Sequence, residues 1–387
     1  MNPVKLFYLL PLAIACTGII GCQTASAPRP EPAPPTAAAP APGEYHHPEG
    51  GTTPTPEIKH FKGSIGSALG LQMKLVRDAD RLTGSYFYQK VGTKIDLKGT
   101  IDREGNITLE EFDQAGKQTG VFKGLWKPDE DGLISIAGNW TRPNSDKKTA
   151  FSLHEEPIEF SGGGEIVARQ IKESNKKLRY EVDADYLQLT GSTNPNVEKF
   201  NQEVRNLVIK KVGEFKKDMT DPERQQPDAT SIGSDLGVGY TIALARDDLI
   251  SIRFDIGGYY SGAAHPNSYS QVINFDLKNG KPLKLGDLFK PGAKYAQEIS
   301  AYCINDLKKQ SKARGANGML DDDTIQRGAS ADAKNFQSWT ITRKGLGINF
   351  DSYQVGPYAA GPQYVLVPYS ALRDIVRPDG PIAQFAK

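Results

Sequence analysis

Between about residues 58 and 157, apolar positions recur every second residue in short runs. Five of these runs share one arrangement, apolar-x-Gly-x-apolar: Phe61-Lys62-Gly63-Ser64-Ile65, Leu82-Thr83-Gly84-Ser85-Tyr86, Leu97-Lys98-Gly99-Thr100-Ile101, Phe122-Lys123-Gly124-Leu125-Trp126 and Ile136-Ala137-Gly138-Asn139-Trp140. In a strand, residues i, i+2 and i+4 face the same side. Each glycine therefore shares the apolar face with two large neighbours, where it weakens a flat strand but permits a sharp bend or a close backbone approach. Repeated at intervals, the pattern predicts a strongly curved all-β sheet, most simply a small antiparallel barrel. Turn signals at Arg103-Glu104-Gly105-Asn106 and Gln114-Ala115-Gly116-Lys117 separate the runs. About eight strands are expected, an even number that suits an up-and-down meander.

From about residue 165 to residue 387 the pattern changes. Leu178, Tyr180, Val182, Ala184 and Tyr186 alternate with polar residues as in a half-buried strand. Asn194-Pro195 reads as a helix start, and Val197, Phe200, Val204, Leu207, Val208, Val212, Phe215 and Met219 follow at helical spacing. Two alternating strands are expected at Val238–Leu244 and Ile250–Ile256, and a type I′ hairpin turn at Asn279-Gly280. A second amphipathic helix carries Tyr295, Ile299, Tyr302, Cys303 and Leu307, and further strands are expected near 339–341, 347–350 and 364–367. The reading is α+β, with an antiparallel sheet around two main helices.

The N-terminus carries an address. Residues 1–22 read as a lipoprotein signal: Lys5, an apolar run from Leu6 to Ile20, then Gly21-Cys22. Cys22 is the expected lipidation site, so the membrane is an expected partner through the N-terminal lipid, with several acyl chains giving stable anchorage. Gln23 suits outer-membrane sorting, facing the periplasm, if the cell has two membranes. Residues 23–57 are rich in Pro and Ala and are read as an extended tether, able to reach up to roughly 100 Å at about 3 Å per residue. The 387-residue chain has a net charge of +1, so nucleic acid is not an expected partner. Once Cys22 is lipidated and Cys16 has left with the signal, Cys303 is the last Cys, and no disulfide framework is expected.

Tyr259-Tyr260-Ser261-Gly262-Ala263-Ala264-His265-Pro266-Asn267, Asn274-Phe275-Asp276-Leu277, Leu283-Lys284-Leu285-Gly286-Asp287-Leu288-Phe289 and the stretch from Phe350 to Pro362 follow one another in an order that resembles the RsiV/PdaC-type extracytoplasmic C-terminal domain. The resemblance covers roughly residues 165–387. It implies an extracytoplasmic α+β module, which binds lysozyme in RsiV and accompanies a separate catalytic domain in PdaC. The chain departs from both, lacking the anti-sigma segment and the deacetylase domain with its metal-binding residues, so fold transfers better than function. More locally, Leu82–Tyr86 and the Trp-bearing strands look like calycin-type barrels, which bind small ligands, although Trp126 and Trp140 are read first as filling the interior.

Chemistry is sparse. His60, His154 and His265 are the histidines outside the tether, and only His265 sits in a motif. With Ser261 and Asp255 it could form a hydrolytic group, but no nucleophile elbow is visible. No His/Cys pair has ligand spacing, so no metal and no cofactor is expected, and Asp321-Asp322-Asp323 reads as a solvated loop or helix cap. The candidate binding residues are Tyr259, Tyr260, His265, Asn267, Tyr353 and Tyr358, aromatic and polar groups in Gly- and Pro-rich loops. The combined expectation is a lipid-anchored envelope module that recognises a lysozyme-like protein or peptidoglycan. The alternatives are a hydrolase using His265 and a small-ligand carrier built on the barrel, and enzyme activity is left open.

Overall fold

The structure is a computed structural model that describes residues 56–66, 69–88, 94–129, 132–221, 233–315 and 319–387. The expected signal, Cys22 and nearly all of the tether lie outside the described residues. Pro54–Lys387 form one compact unit.

Its first part is a closed barrel of eight strands: β1 (Glu57–Ile65), β2 (Leu69–Asp78), β3 (Arg81–Tyr88), β4 (Lys94–Ile101), β5 (Asn106–Phe112), β6 (Gln118–Pro128), β7 (Ile134–Thr141) and β8 (Lys148–Glu156). Each pairs antiparallel with the next, and β8 closes on β1. The repeated glycines lie where strands approach most closely. Gly124 and Gly138 face each other across β6 and β7, and a methyl group at Gly138 would fall on the Lys123 carbonyl oxygen. The interior is filled by rings meeting edge to face: Phe61 with Trp126 at 5.4 Å, Tyr86 with Phe122 at 5.6 Å, and Phe122 with Phe151 at 5.0 Å. One carboxylate is buried among them. Glu111 accepts from the Tyr86 hydroxyl (2.6 Å) and from Trp140 Nε1 (3.0 Å), so one of its oxygens is met by two donors.

The second part is α+β. Its seven-stranded sheet contains β9 (Ile158–Glu159), β10 (Glu165–Asn175), β11 (Tyr180–Thr190), β12 (Ser234–Arg246), β13 (Leu249–Gly258), β14 (Asn267–Asp276) and β15 (Lys281–Pro282). The order is β10-β11-β12-β13-β14-β15, with β9 beside β12. The sheet is mixed where an antiparallel one was expected: β11 and β9 both run parallel to β12. The 24-residue helix α1 (Val197–Thr220) supplies the long connection that lets the chain return in the same direction. Its Phe200, Val204, Val208, Val212 and Phe215 form one stripe against the sheet core.

A second core gathers under α2 (Tyr295–Ala313), α3 (Asp322–Gly328), the three-stranded sheet β16 (Trp339–Ile341), β17 (Gly345–Phe350) and β18 (Gln363–Pro368), and α4 (Tyr369–Leu372). Cys303 is fully buried there, and burial pushes its thiol up to about 12. Asp321 caps α3, accepting from the Thr324 amide at 2.9 Å.

Three local expectations are revised. Helix α1 starts at Val197, because the Asn194 side chain accepts from the Asn196 amide (2.9 Å) and holds a turn ahead of the helix. The edge strand β10 was not expected, since most of it is at least partly exposed on both faces and shows no clean alternation. At Asn279-Gly280 only Gly280 has positive φ, whereas a type I′ turn needs two such residues. The Asp276 carboxylate holds the Asn279 amide at 2.8 Å and shapes a longer turn.

Candidate functional site

Two loops carry most of the candidate residues: 259–266, between β13 and β14, and 351–362, between β17 and β18. Partly buried polar contacts bring them together. Arg253 on β13 donates to Asn349 on β17 at 2.8 Å. Ser270 on β14 donates to Asp351 through its amide (3.0 Å) and its hydroxyl (2.6 Å). Gln354 then fixes the tip of the second loop by donating to the carbonyls of Gly328 (3.1 Å) and Asn335 (2.9 Å). None of these anchors is marked by sequence pattern, because each joins polar residues far apart in the chain.

The result is a cluster of three aromatic side chains. The His265 and Tyr358 rings lie 4.0 Å apart and nearly parallel, with Tyr353 5.5 Å from Tyr358 and 6.4 Å from His265. Pro266 O accepts from both His265 Nδ1 (2.7 Å) and the Tyr358 hydroxyl (2.7 Å). A carbonyl can only accept, so Nδ1 carries the proton, and in the neutral ring Nε2 accepts from the Tyr353 hydroxyl at 3.2 Å. Tyr353 holds the left-handed backbone conformation (φ 72°) and is 58% exposed. Such a backbone is strained for a side chain of this size, and strain of this kind gathers at functional sites.

The other candidates lie elsewhere. Tyr260 packs its ring against Phe215 of α1 at 5.6 Å, and its hydroxyl lies 3.4 Å from Asp218. Tyr259 is half-buried, and its carbonyl accepts the Asp235 amide at 2.8 Å. Asn267 is exposed at the start of β14, opposite Gly258. The acid imagined for a hydrolytic group, Asp255, pairs with Arg253 at 3.0 Å, while the Ser261 amide donates to Ser234 Oγ at 2.9 Å. Among the described residues, no group of three or more His, Cys, Asp or Glu side chains is disposed to hold a metal ion.

Residues 286–370, which hold α2, α3 and β16 to β18, match DUF3298, a family described as protein of unknown function. This segment is a DUF3298 domain. Tyr353 and Tyr358 lie within it, and His265 lies ahead of it. The chain is 26% identical over 180 residues to the peptidoglycan-N-acetylmuramic acid deacetylase PdaC of Bacillus subtilis, covering 46% of this chain and 37% of that protein. Over 112 residues it is 26% identical to the immunogenic protein MPT64 of Mycobacterium tuberculosis, covering 29% of this chain and 46% of that protein. The chain thus matches less than half the length of these curated relatives. A solved DUF3298 structure from Bacteroides fragilis aligns with 59% of this chain and 98% of its own at 20% identity, with a TM-score of 0.47. One from Pseudomonas aeruginosa aligns with 56% and 94% at 18% identity, with a TM-score of 0.40. The C-terminal region is of the RsiV/PdaC type.

Proposed function

We propose that this protein is a lipid-anchored module of the cell envelope whose DUF3298 region recognises a wall-associated partner, either a lysozyme-like hydrolase or peptidoglycan itself. The observation that carries the reading is the His265–Tyr358–Tyr353 cluster, in which His265 and Tyr353 are exposed and Tyr358 is half-buried, held by two loops that rigid strands position. Stacked rings with hydroxyl groups at their edges suit both protein side chains and sugar faces. The anchor and tether read from residues 1–57 would hold such a surface out from a membrane, and the PdaC relative is named for its action on peptidoglycan. The hydrolase alternative has less support, because both ring nitrogens of His265 are engaged and Asp255 is paired with Arg253. The carrier alternative would require a ligand to displace the rings packed inside the barrel.

Calorimetry against lysozyme and other muramidases, with sedimentation against purified peptidoglycan, tests the proposal. Binding by the wild-type protein and its loss by about tenfold or more in Tyr353→Ala and Tyr358→Ala is the expected result. Failure of the wild-type protein to bind any member of the panel overturns the module reading. Full binding by the double variant overturns the platform. Anchorage is tested separately by expressing Cys22→Ala, which should leave the membrane fraction.

A further inference from the structure

The surface around the aromatic cluster is free of charge. No Asp, Glu, Lys or Arg occurs from Ile256 to Phe275 or from Ser352 to Leu372. In a chain of which 24% of residues are charged, two such stretches meeting at one surface set that surface apart from the rest. Burial does not account for it, since every residue from Gly262 to Tyr269 is exposed, as are Tyr353, Pro357 and Ala359. The acids that border the stretches are engaged: Asp351 accepts from Ser270 at 2.6 Å, and Asp255 pairs with Arg253 at 3.0 Å. The charges that come near from α1 are also engaged, Lys211 over the Tyr269 ring at 5.6 Å and Asp218 beside the Tyr260 hydroxyl at 3.4 Å.

The rings are arranged to offer faces. The planes of His265, Tyr353 and Tyr358 lie within 34° of one another, and the residues that precede His265 are the small Gly262, Ala263 and Ala264. Hydrogen-bonding capacity at the edges is equally defined. His265 Nδ1 and the Tyr358 hydroxyl are both spent on Pro266 O. Tyr353 has given its single hydroxyl proton to His265 Nε2 at 3.2 Å, so toward a ligand its oxygen has only acceptor capacity left. Asn267 and Ser268, exposed directly after Pro266, add a neutral amide and a hydroxyl.

We infer that this surface takes the neutral N-acetylated sugars of a glycan strand, and not the charged peptide attached to such a strand or a charged protein surface. The inference rests on the reading of the aromatic cluster as the recognition surface and names what it recognises. The C–H face of a sugar ring packs on the aromatic faces, whose quadrupole is negative at the centre. Sugar hydroxyl and acetamido N–H groups donate to the Tyr353 oxygen, and the Asn267 amide serves either role. Charge decides between the candidates. A peptide with free carboxylates and amines, or a protein docked through complementary charge, needs counter-charges that the two loops do not supply. A neutral sugar needs none.

Calorimetry with the N-acetylglucosamine tetramer tests the assignment, beside its fully deacetylated cationic form, a soluble peptidoglycan stem peptide and a proline-rich peptide. The acetylated tetramer binds the wild-type protein with the same affinity at about 0.05 and about 0.5 M salt, because no charge pair forms, and the controls do not bind. His265→Ala and Tyr353→Ala each weaken binding by about tenfold or more, and circular dichroism establishes that both are folded. Tyr353→Phe, which keeps the ring and removes the acceptor, weakens it by less. A wild-type protein that binds a hydrolase or whole peptidoglycan but not the tetramer overturns the inference and leaves the module reading standing; one that binds none of them overturns both. Binding of either peptide in place of the tetramer, a steep loss of tetramer binding with salt, or full tetramer binding by the folded His265→Ala, Tyr353→Ala double variant also overturns the inference.

Discussion

Replacing Glu156 with Gln should expose a pH dependence of stability that the native protein conceals. Glu156 is held up to about 7 from an ordinary 4.5, chiefly by burial, and His60 is lowered from 6.5 to about 4, again chiefly by burial. Stability changes with pH according to the difference in protons bound by the unfolded and folded chains. Between pH 4.5 and 7, folded Glu156 keeps a proton that the unfolded residue has released. Its contribution is therefore full below pH 4.5 and is lost as pH rises to 7. His60 runs the other way. Its ring is neutral when folded down to about pH 4, whereas the unfolded ring is charged below 6.5, so its contribution is full above 6.5 and is lost as pH falls to 4. Each slope is about 1.4 kcal/mol per pH unit, and between pH 4.5 and 6.5 they cancel. With Glu156→Gln the His60 slope stands alone: relative to wild type, the variant gains about 3 kcal/mol from pH 4.5 to 6.5. His60→Asn should lose a similar amount over the same range. Urea unfolding followed by Trp126 and Trp140 fluorescence in half-unit pH steps measures both differences, in which the other titrating groups drop out. A Glu156→Gln curve parallel to that of the wild-type protein would refute the argument.

Three further outcomes are expected. Gly138→Val places branched carbons on the Lys123 carbonyl and should destabilise the barrel by about 3 kcal/mol or more, seen as a lower urea midpoint. Tyr353→Gly relieves a left-handed backbone and should stabilise the fold by about 1 kcal/mol while abolishing partner binding, which calorimetry and thermal unfolding separate. Cys303, buried and with its thiol pushed up to about 12, should resist a thiol reagent at pH 8 in the native protein and react at once in 6 M guanidinium.

The barrel was legible because its signal is local. A period of two and a glycine centred between large residues state both the strand and its bend, and the five repeats fall on five strands. Helices α1 and α2 were legible for the same reason, since Phe200, Val204, Val208 and Val212 declare one buried stripe. Strand β10 carried no such signal, because an edge strand exposed on both faces has no single apolar side. The parallel pairing of β11 with β12 was also hidden, as alternation reports a strand's buried face and not the direction of its neighbour. The candidate site was legible only by residue type. His265 and Tyr353 stand 88 positions apart and meet because Ser270 binds Asp351 and Arg253 binds Asn349, while Tyr260 is drawn away to Phe215.

By itself, then, the chain's order of residues determined the curvature of the barrel, the two long helices and the family likeness of the C-terminal region, all of which rest on short spacings. The covered outer face of the barrel is of the other kind. His60, Gln72 and Glu156 alternate with the inward-facing residues of the barrel strands, and only the docking of the second part and of Tyr240 over them covered them, shifted His60 and Glu156 in opposite directions and left two acceptors without donors. Burial is a property of what covers a face, and covering depends on contacts as far apart as the 168 positions between Gln72 and Tyr240.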